Sequence, residues 1–292
     1  MLVAARPVLP GDGAGTPRGS LVFVRWLNGD LVHRLQTVTH SRFKVAVPCE
    51  SPVGSVKVSY LVGMLRYAGK TGEFFDAYDR DATYDADGTI LDIYSERPFE
   101  ADRYVYEGPA NQCGTYRAEG GCYNREHSFP RSWFGGAVEP MNSDIHHIFP
   151  SDGYVNNRRN SYPYGEVASP TFASSNGSKL GPARWGLGYT GTVFEPNDAF
   201  KGDLARAYFY LATRYEDRIA GWERTGAGAN AILDGTSDQV FEAWFIDLLL
   251  TWHQADPVSE SERGRNEAAF SYQGNRNPFV DHPDLVRSIW RP

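Results

Sequence analysis

The alternation of apolar and polar positions is clearest in the last third of the chain. Leu204, Tyr208, Leu211 and Tyr215 recur at helical spacing, which predicts an amphipathic helix over residues 202–215, with Asp203 in the first turn where the helix dipole favours negative charge. Over 238–253, Phe241, Trp244, Phe245, Leu248, Leu249 and Trp252 form a wide apolar stripe suited to the core, and Asp256-Pro257 is a natural stop. A third helix is expected over 283–290, where Pro283 fits the first turn and Leu285, Val286, Ile289 and Trp290 supply the buried face.

Toward the N-terminus the pattern shortens. Residues 20–26 and 43–47 are β-prone runs among Pro and Gly, and residues 1–55 form an N-terminal extension without an assigned role, ahead of one domain over 56–292. A helical pattern runs over 61–78, and a short strand is expected over 90–94 after the turn-rich Asp85-Ala86-Asp87-Gly88. Residues 122–128 and 144–149 read as short strands. Ser151-Asp152 can cap a short helix running through Arg159, which Pro163 ends. The sum is an α+β class chain: a mixed α/β globular domain in which a strand, a strand and a helix are packed by several further helices.

Composition narrows the function classes. With 292 residues, 41% hydrophobic and 22% charged, the chain can bury a sizeable core. No run approaches the roughly eighteen apolar residues of a membrane span, so no membrane partner is expected. The first residues show neither a basic segment nor an apolar stretch of secretory type. Cys113 and Cys122 flank a Gly-rich loop short enough for a disulfide; the alternative is a pair of free or metal-binding thiols, and Cys49 is left over. A net charge of -7 is the wrong sign for long-range attraction of phosphates. It disfavours tight nonspecific binding more than it disfavours turnover, which local arginines and a bound cation can support.

Reactive side chains concentrate over 123–164. Glu126, His127, Asp144, His146, His147, Asp152, Asn156, Asn157 and Asn160 lie there, with Arg125, Arg131, Arg158 and Arg159 among them. Phosphodiester cleavage needs a base for water, a cation on the scissile phosphate and positive charge for the transition state, and all three kinds of group are present. A strand bearing His127 and a helix bearing Asn156 suit a ββα metal finger. A zinc module of Cys122, His127, His146 and His147 lacks the usual ligand spacing, and no His-Glu-x-x-His run points to a metalloprotease.

These residues resemble the bacterial endonuclease I nucleases of the ββα-metal (His-Me finger) superfamily. The blocks that carry the resemblance occur in order: Tyr94-Ser95 with Arg97-Pro98; Cys113-Gly114 to Cys122-Tyr123-Asn124-Arg125-Glu126-His127-Ser128-Phe129-Pro130; Ser143-Asp144-Ile145-His146-His147; Pro150-Ser151-Asp152-Gly153-Tyr154-Val155-Asn156 with Arg159; 162–166; and Gln273-Gly274-Asn275-Arg276-Asn277-Pro278-Phe279 with Asp281-His282-Pro283. The resemblance implies a metal-dependent, largely sequence-nonspecific endonuclease acting on DNA, with RNA a further candidate. It makes His127 the base for water and Glu126 and Asn156 the protein ligands of one Mg²⁺, for which Mn²⁺ or Ca²⁺ are substitutes. Nucleic acid is then the partner, with no obligate protein partner, and export to the periplasm or medium is the family habit.

Other roles follow less directly. His147 is a candidate support for His127 or the metal shell, Arg159 and Arg131 are candidate phosphate contacts, and Arg158, Asn275 and Arg276 are candidate substrate contacts. Asp144 reads as a structural acceptor rather than a ligand, and 273–279 reads equally as a plain loop or as a lining of the cleft. Relatives with a longer insertion in the 132–141 connection bring a further arginine to the phosphate, and none corresponds to it here. Glu126 and His127 are neighbours on one strand, so ideal alternation would turn them to opposite faces unless they lie at a strand end or bulge.

Overall fold

The computed structural model describes residues 4–8, 19–23 and 71–290. Ala4–Val8 (β1) and Gly19–Phe23 (β2) pair antiparallel, which places part of the first β-prone run in a strand. The expectations for 43–47, most of 61–78 and the domain boundary near 55 lie outside the described residues. Thr71–Tyr78 (α1) is helical, as the end of the 61–78 pattern suggests. Among the described residues, helices and three small sheets together make an α+β mix.

The strand pair at the centre of the reactive segment consists of Tyr123–His127 (β3) and Ile148–Asp152 (β4). They run antiparallel in unbroken register from Tyr123 opposite Asp152 to His127 opposite Ile148. Gly153–Arg159 (α2) follows β4 without a linker, because the Asp152 side chain accepts from the Val155 N–H and caps the helix. Gly153 is required here: a Cβ would come within 2.6 Å of the Tyr116 ring. The expected strand over 144–149 is displaced. Ile145–His147 is a 3-10 turn capped by the Asp144 side chain on the His146 N–H, since a short Asp side chain competes with ladder bonding. The strand expected over 90–94 shrinks to a bridge at Ile90, because Asp92 accepts from the Tyr94 N–H and turns the chain.

Phe172–Ala173 (β5), Lys179–Pro182 (β6) and Thr192–Glu195 (β7) form an antiparallel sheet. Then come Lys201–Arg214 (α3), the short helices Glu216–Ile219 (α4) and Ala227–Ile232 (α5), and Ala243–Ala255 (α6). Helix α6 begins later than the apolar stripe predicts: Val240 sits at φ 67°, a left-handed conformation that a helix cannot include, and Phe241 bridges to Leu233 instead. Glu260–Gln273 (α7), Pro278–Asp281 (α8) and Leu285–Trp290 (α9) complete the described residues. Helix α7 was not expected, because it has no wide apolar stripe; Ser259 caps the Glu262 N–H, and Gly274 terminates it at φ 88°.

Helix α3 is the central post. Leu204, Tyr208, Leu211 and Tyr215 all lie in the main core with Phe245, Leu249 and Trp252 of α6. Tyr123 and Ile148 belong to a second, smaller core with Phe74, Phe75 and Tyr106, while Phe149 belongs to the main one. The β3–β4 pair therefore lies between two apolar clusters, which hold its end residues in fixed positions. Cys113 and Cys122 are joined in a disulfide, and the Cys113 N–H donates to the Tyr123 carbonyl. That bond anchors the entry to β3, and it removes Cys122 from any zinc-ligand set.

Candidate active site

Glu126 and His127 occupy the last two positions of β3. The ladder is regular through both, and their side chains part as alternation requires. Glu126 turns toward α2. Three donors converge on its Oε1: the Arg159 Nη1 at 3.1 Å, the Tyr94 hydroxyl at 3.1 Å and the Tyr164 hydroxyl at 3.3 Å. The carboxylate is 2% exposed. Burial raises its pKa, opposed by the Arg159 charge and the two tyrosine hydroxyls.

Arg159 does more than pair with Glu126. Its Nη2 donates to the Ser128 carbonyl at 2.6 Å and Nη1 to the His127 carbonyl at 3.2 Å, and the guanidinium lies 4.5 Å from the Tyr164 ring centroid. At 1% exposure it is placed as a clamp between helix and strand, rather than as a surface contact for phosphate. One turn earlier, Asn156 donates its Nδ2 to Asn124 Oδ1 at 2.7 Å and to the Arg125 carbonyl at 3.3 Å. Asn124 and Glu126 share one face of β3, and α2 covers it with Asn156 and Arg159, which are neighbours on the helix. With its NH₂ engaged by the strand, the Asn156 side chain has its oxygen as the remaining polar end, the kind of ligand a hard cation takes.

His127 turns the other way, into the 131–147 connection. Its Nε2 lies 3.0 Å from the Asn142 carbonyl. A carbonyl only accepts, so Nε2 carries the proton and Nδ1 keeps a lone pair. The ring packs against Phe134 and, with centroids 5.6 Å apart, against His147. Burial, followed by the His147, Arg131 and Arg125 charges, holds the imidazole down to about 3 against the pull of the Asn142 carbonyl, so the ring is neutral at physiological pH.

The other candidates divide. His147 is buried beside His127, with Nε2 2.6 Å from the Met141 carbonyl and a buried Nδ1 that has no hydrogen-bond partner. Arg131 is exposed and close enough to His127 for its charge to be felt there. Arg158 is exposed, donates to the Tyr154 hydroxyl and stacks on Tyr154 and Phe172. His146 is not the strand neighbour expected of it: it is buried, with Nε2 3.0 Å from the Asn275 carbonyl.

Asp144 is the structural acceptor the sequence suggests, taking the Tyr210 and Tyr215 hydroxyls on Oδ2 and the Gln273 amide on Oδ1. Asn275 belongs to that same buried network through Gln273 and Tyr210. Arg276 is tied to Asp281 and Glu267. The 273–279 block is thus a lock between α7, α8 and the 144–147 turn, and it does not bring Asn275 or Arg276 to the Glu126–His127 pair.

Tyr94 and Tyr164 are the site residues that motif reading passed over. Both lie in blocks that carry the family resemblance, but nothing in a lone tyrosine shows that its hydroxyl reaches a carboxylate 32 or 38 residues away. The Asn142 carbonyl was equally hidden, since a backbone acceptor leaves no mark in side-chain chemistry.

Comparison with known proteins identifies the family. The chain is similar to an extracellular ribonuclease of Bacillus amyloliquefaciens, 38% identical over 178 residues that cover 58% of this chain and 54% of the relative. The corresponding ribonuclease of Bacillus subtilis (strain 168) is 37% identical over 175 residues, covering 58% and 54%. A periplasmic deoxyribonuclease of Aeromonas hydrophila is 28% identical over 147 residues, covering 48% of each chain. The chain thus spans about half the length of the curated relatives it matches. A CHASE4 domain model matches residues 1–46 only, whereas the model of Endonuclease I matches residues 57–284, which include every residue of the site just described. The chain belongs to the endonuclease I family.

Proposed function

We propose that this chain is a metal-dependent, largely sequence-nonspecific endonuclease that hydrolyses phosphodiester bonds of DNA, with RNA as a second substrate. The observation that carries the reading is the end of β3, where a phosphate at the strand's edge can meet both faces: a neutral His127 held by the Asn142 carbonyl on one face, and a Glu126 carboxylate clamped through one oxygen on the other. The strand, strand and helix around them act as a ββα metal finger.

The donor set fits one Mg²⁺. Glu126 offers its second oxygen and Asn156 its amide oxygen, both hard ligands, and Mg²⁺ characteristically takes one or two protein ligands and keeps several waters. When bound, the ion supplies positive charge to the scissile phosphate and the leaving 3′ oxygen. His127 Nδ1 takes a proton from the attacking water, and the imidazolium that forms keeps its Nε2–H on the Asn142 carbonyl. A base works best with a pKa near the operating pH; the negative charge of a docked phosphodiester lifts His127 from its depressed resting value in that direction. Arg131, exposed near His127, contacts the phosphate. Arg159, Tyr94 and Tyr164 orient Glu126, and His147 packs against His127 to fix the plane of its ring. The products carry 5′ phosphate and 3′ hydroxyl ends.

Little base selectivity is expected, because contacts to phosphate carry no sequence information. Both nucleic acids are proposed as substrates because the relatives are named as ribonucleases and as deoxyribonucleases. The relatives' extracellular and periplasmic names, and the Cys113–Cys122 disulfide, favour work outside the cytoplasm. Among the described residues no helix is long and apolar enough to cross a membrane.

The test is incubation of the purified chain with supercoiled plasmid, single-stranded DNA and RNA, with Mg²⁺ or with excess chelator. Nicking and linearisation should require Mg²⁺ and slow by about 10²- to 10⁴-fold in His127→Ala. Cleavage unaffected by chelator or by the substitution refutes the mechanism.

A further inference from the structure

At its C-terminal end β3 pairs with β4 along one edge and meets α2 along the other. There Asn156 Nδ2 reaches the Arg125 carbonyl at 3.3 Å and Arg159 Nη1 the His127 carbonyl at 3.2 Å. The main chain at 125 is thus tied to a candidate metal ligand, while regular alternation puts the Arg125 side chain on the His127 face, two positions or about 7 Å along the strand. Arg159, Arg206, Arg265 and Arg276 each pair with a carboxylate, and Arg158 stacks on Tyr154 and Phe172. Arg125 differs. It is exposed, and among the described residues its guanidinium makes one hydrogen bond, from Nη1 to the Thr71 hydroxyl at 3.2 Å, and no ion pair. Thr71 is buried at the start of α1, the helix that packs on Tyr123 through Phe75. That bond holds the guanidinium on the Tyr123 side of His127 and leaves most of its fork of N–H donors open. A neutral hydroxyl aims an arginine without cancelling its charge. In a chain of net charge -7, an uncompensated cation beside a hydrolytic base is a place for an anion.

We infer that Arg125 binds the backbone phosphate next to the scissile one, and that Arg131 serves the scissile phosphate itself. The inference rests on the nuclease reading of Glu126, His127 and Asn156. Side chains two apart on one strand face span a distance close to that between consecutive phosphates of a nucleic-acid strand. A substrate whose reacting phosphate lies at His127 therefore brings its neighbour to Arg125, whose planar fork suits the phosphate oxygens. The contact reads neither a base edge nor a 2′ hydroxyl, so it serves DNA and RNA alike.

Binding is separated from cleavage in the full chain carrying His127→Ala. The anisotropy of a short dye-labelled single-stranded DNA, and of the RNA of the same sequence, is followed in Mg²⁺ over a series of NaCl concentrations. Adding Arg125→Gln should weaken binding by about tenfold on both strands. It should also lower the slope of log affinity against log salt by about 0.7, the release of one counterion from a single strand. Arg125→Lys should keep the slope, and so should Thr71→Val, which removes the hydroxyl and leaves the charge. Parental affinity and slope in Arg125→Gln overturn the inference. An equal loss in Thr71→Val overturns it too, by making the arginine a prop for α1. The nuclease reading fails separately, by absent or chelator-resistant cleavage in the unsubstituted chain.

Discussion

Arg159 Nη1 stands 3.1 Å from Glu126 Oε1 with both side chains almost fully buried, so one charge pair joins helix α2 to the end of strand β3. Removing one partner of such a pair strands the other charge in the core. Arg159→Met should therefore destabilise the fold by about 3–5 kcal/mol, whereas an exposed arginine would cost little. Urea unfolding followed by tryptophan fluorescence measures it. A loss below 1 kcal/mol would show that Arg159 is no clamp.

His127→Ala should lower kcat by about 10²- to 10⁴-fold, the usual worth of a general base, and leave Mg²⁺ binding nearly intact, since the imidazole is not assigned to the metal. Plasmid nicking rates give the first quantity and calorimetry the second. Loss of metal binding with the imidazole would mean that His127 is a ligand.

Tyr94→Phe and Tyr164→Phe each remove one hydroxyl from Glu126 Oε1. Partners that orient a metal ligand are worth about 10- to 100-fold in metal affinity. Each variant should raise the Mg²⁺ concentration for half-maximal cleavage by that order, with the rate at saturating Mg²⁺ changing less. A fall in saturated rate with no change in Mg²⁺ requirement would assign the tyrosines to substrate instead.

The Cys113–Cys122 bond closes a short loop at the entry to β3. Replacing both cysteines with serine should cost about 2–3 kcal/mol, the range for a small loop, and reductant should lower the melting temperature of the native chain but not of the Ser variant. Equal response of the two proteins to reductant would show that the bond contributes nothing.

Asp92 is buried with Oδ2 unpartnered, and burial, with the charge of Asp152 adding to it, lifts its carboxyl to about 8. A carboxyl raised in the folded state contributes stability that is complete below its ordinary value near 3.8 and is lost as pH rises through 8. Asp92→Asn, which mimics the protonated form, should become progressively more stable than the parent as pH rises across that window. Parallel unfolding curves at pH 5, 6.5 and 8, spaced across that window, test the sign; a gap that shrinks with pH contradicts it.

Much of this molecule is written locally. Helices α3, α6 and α9 follow from apolar spacing and the cap on α2 from Asp152, because each depends on contacts within a few positions. His127, Glu126 and Asn156 stood out for the same reason: their chemistry is a property of residue type and motif. What only the tertiary structure decided was partnership. It turned Arg159 inward to Glu126, brought Tyr94 and Tyr164 to the same oxygen, and drew Asn275 and Arg276 into a lock with Asp144, Asp281 and Glu267. It also moved β4 from 144–149 to Ile148–Asp152. Apart from the Arg276 pairs with Asp281 and Glu267, which lie within ten positions, these outcomes depend on residues tens of positions apart that meet only when two cores close around β3 and β4. Whether a polar side chain faces a cleft or a buried partner is settled by that closure, and local spacing carries no trace of it.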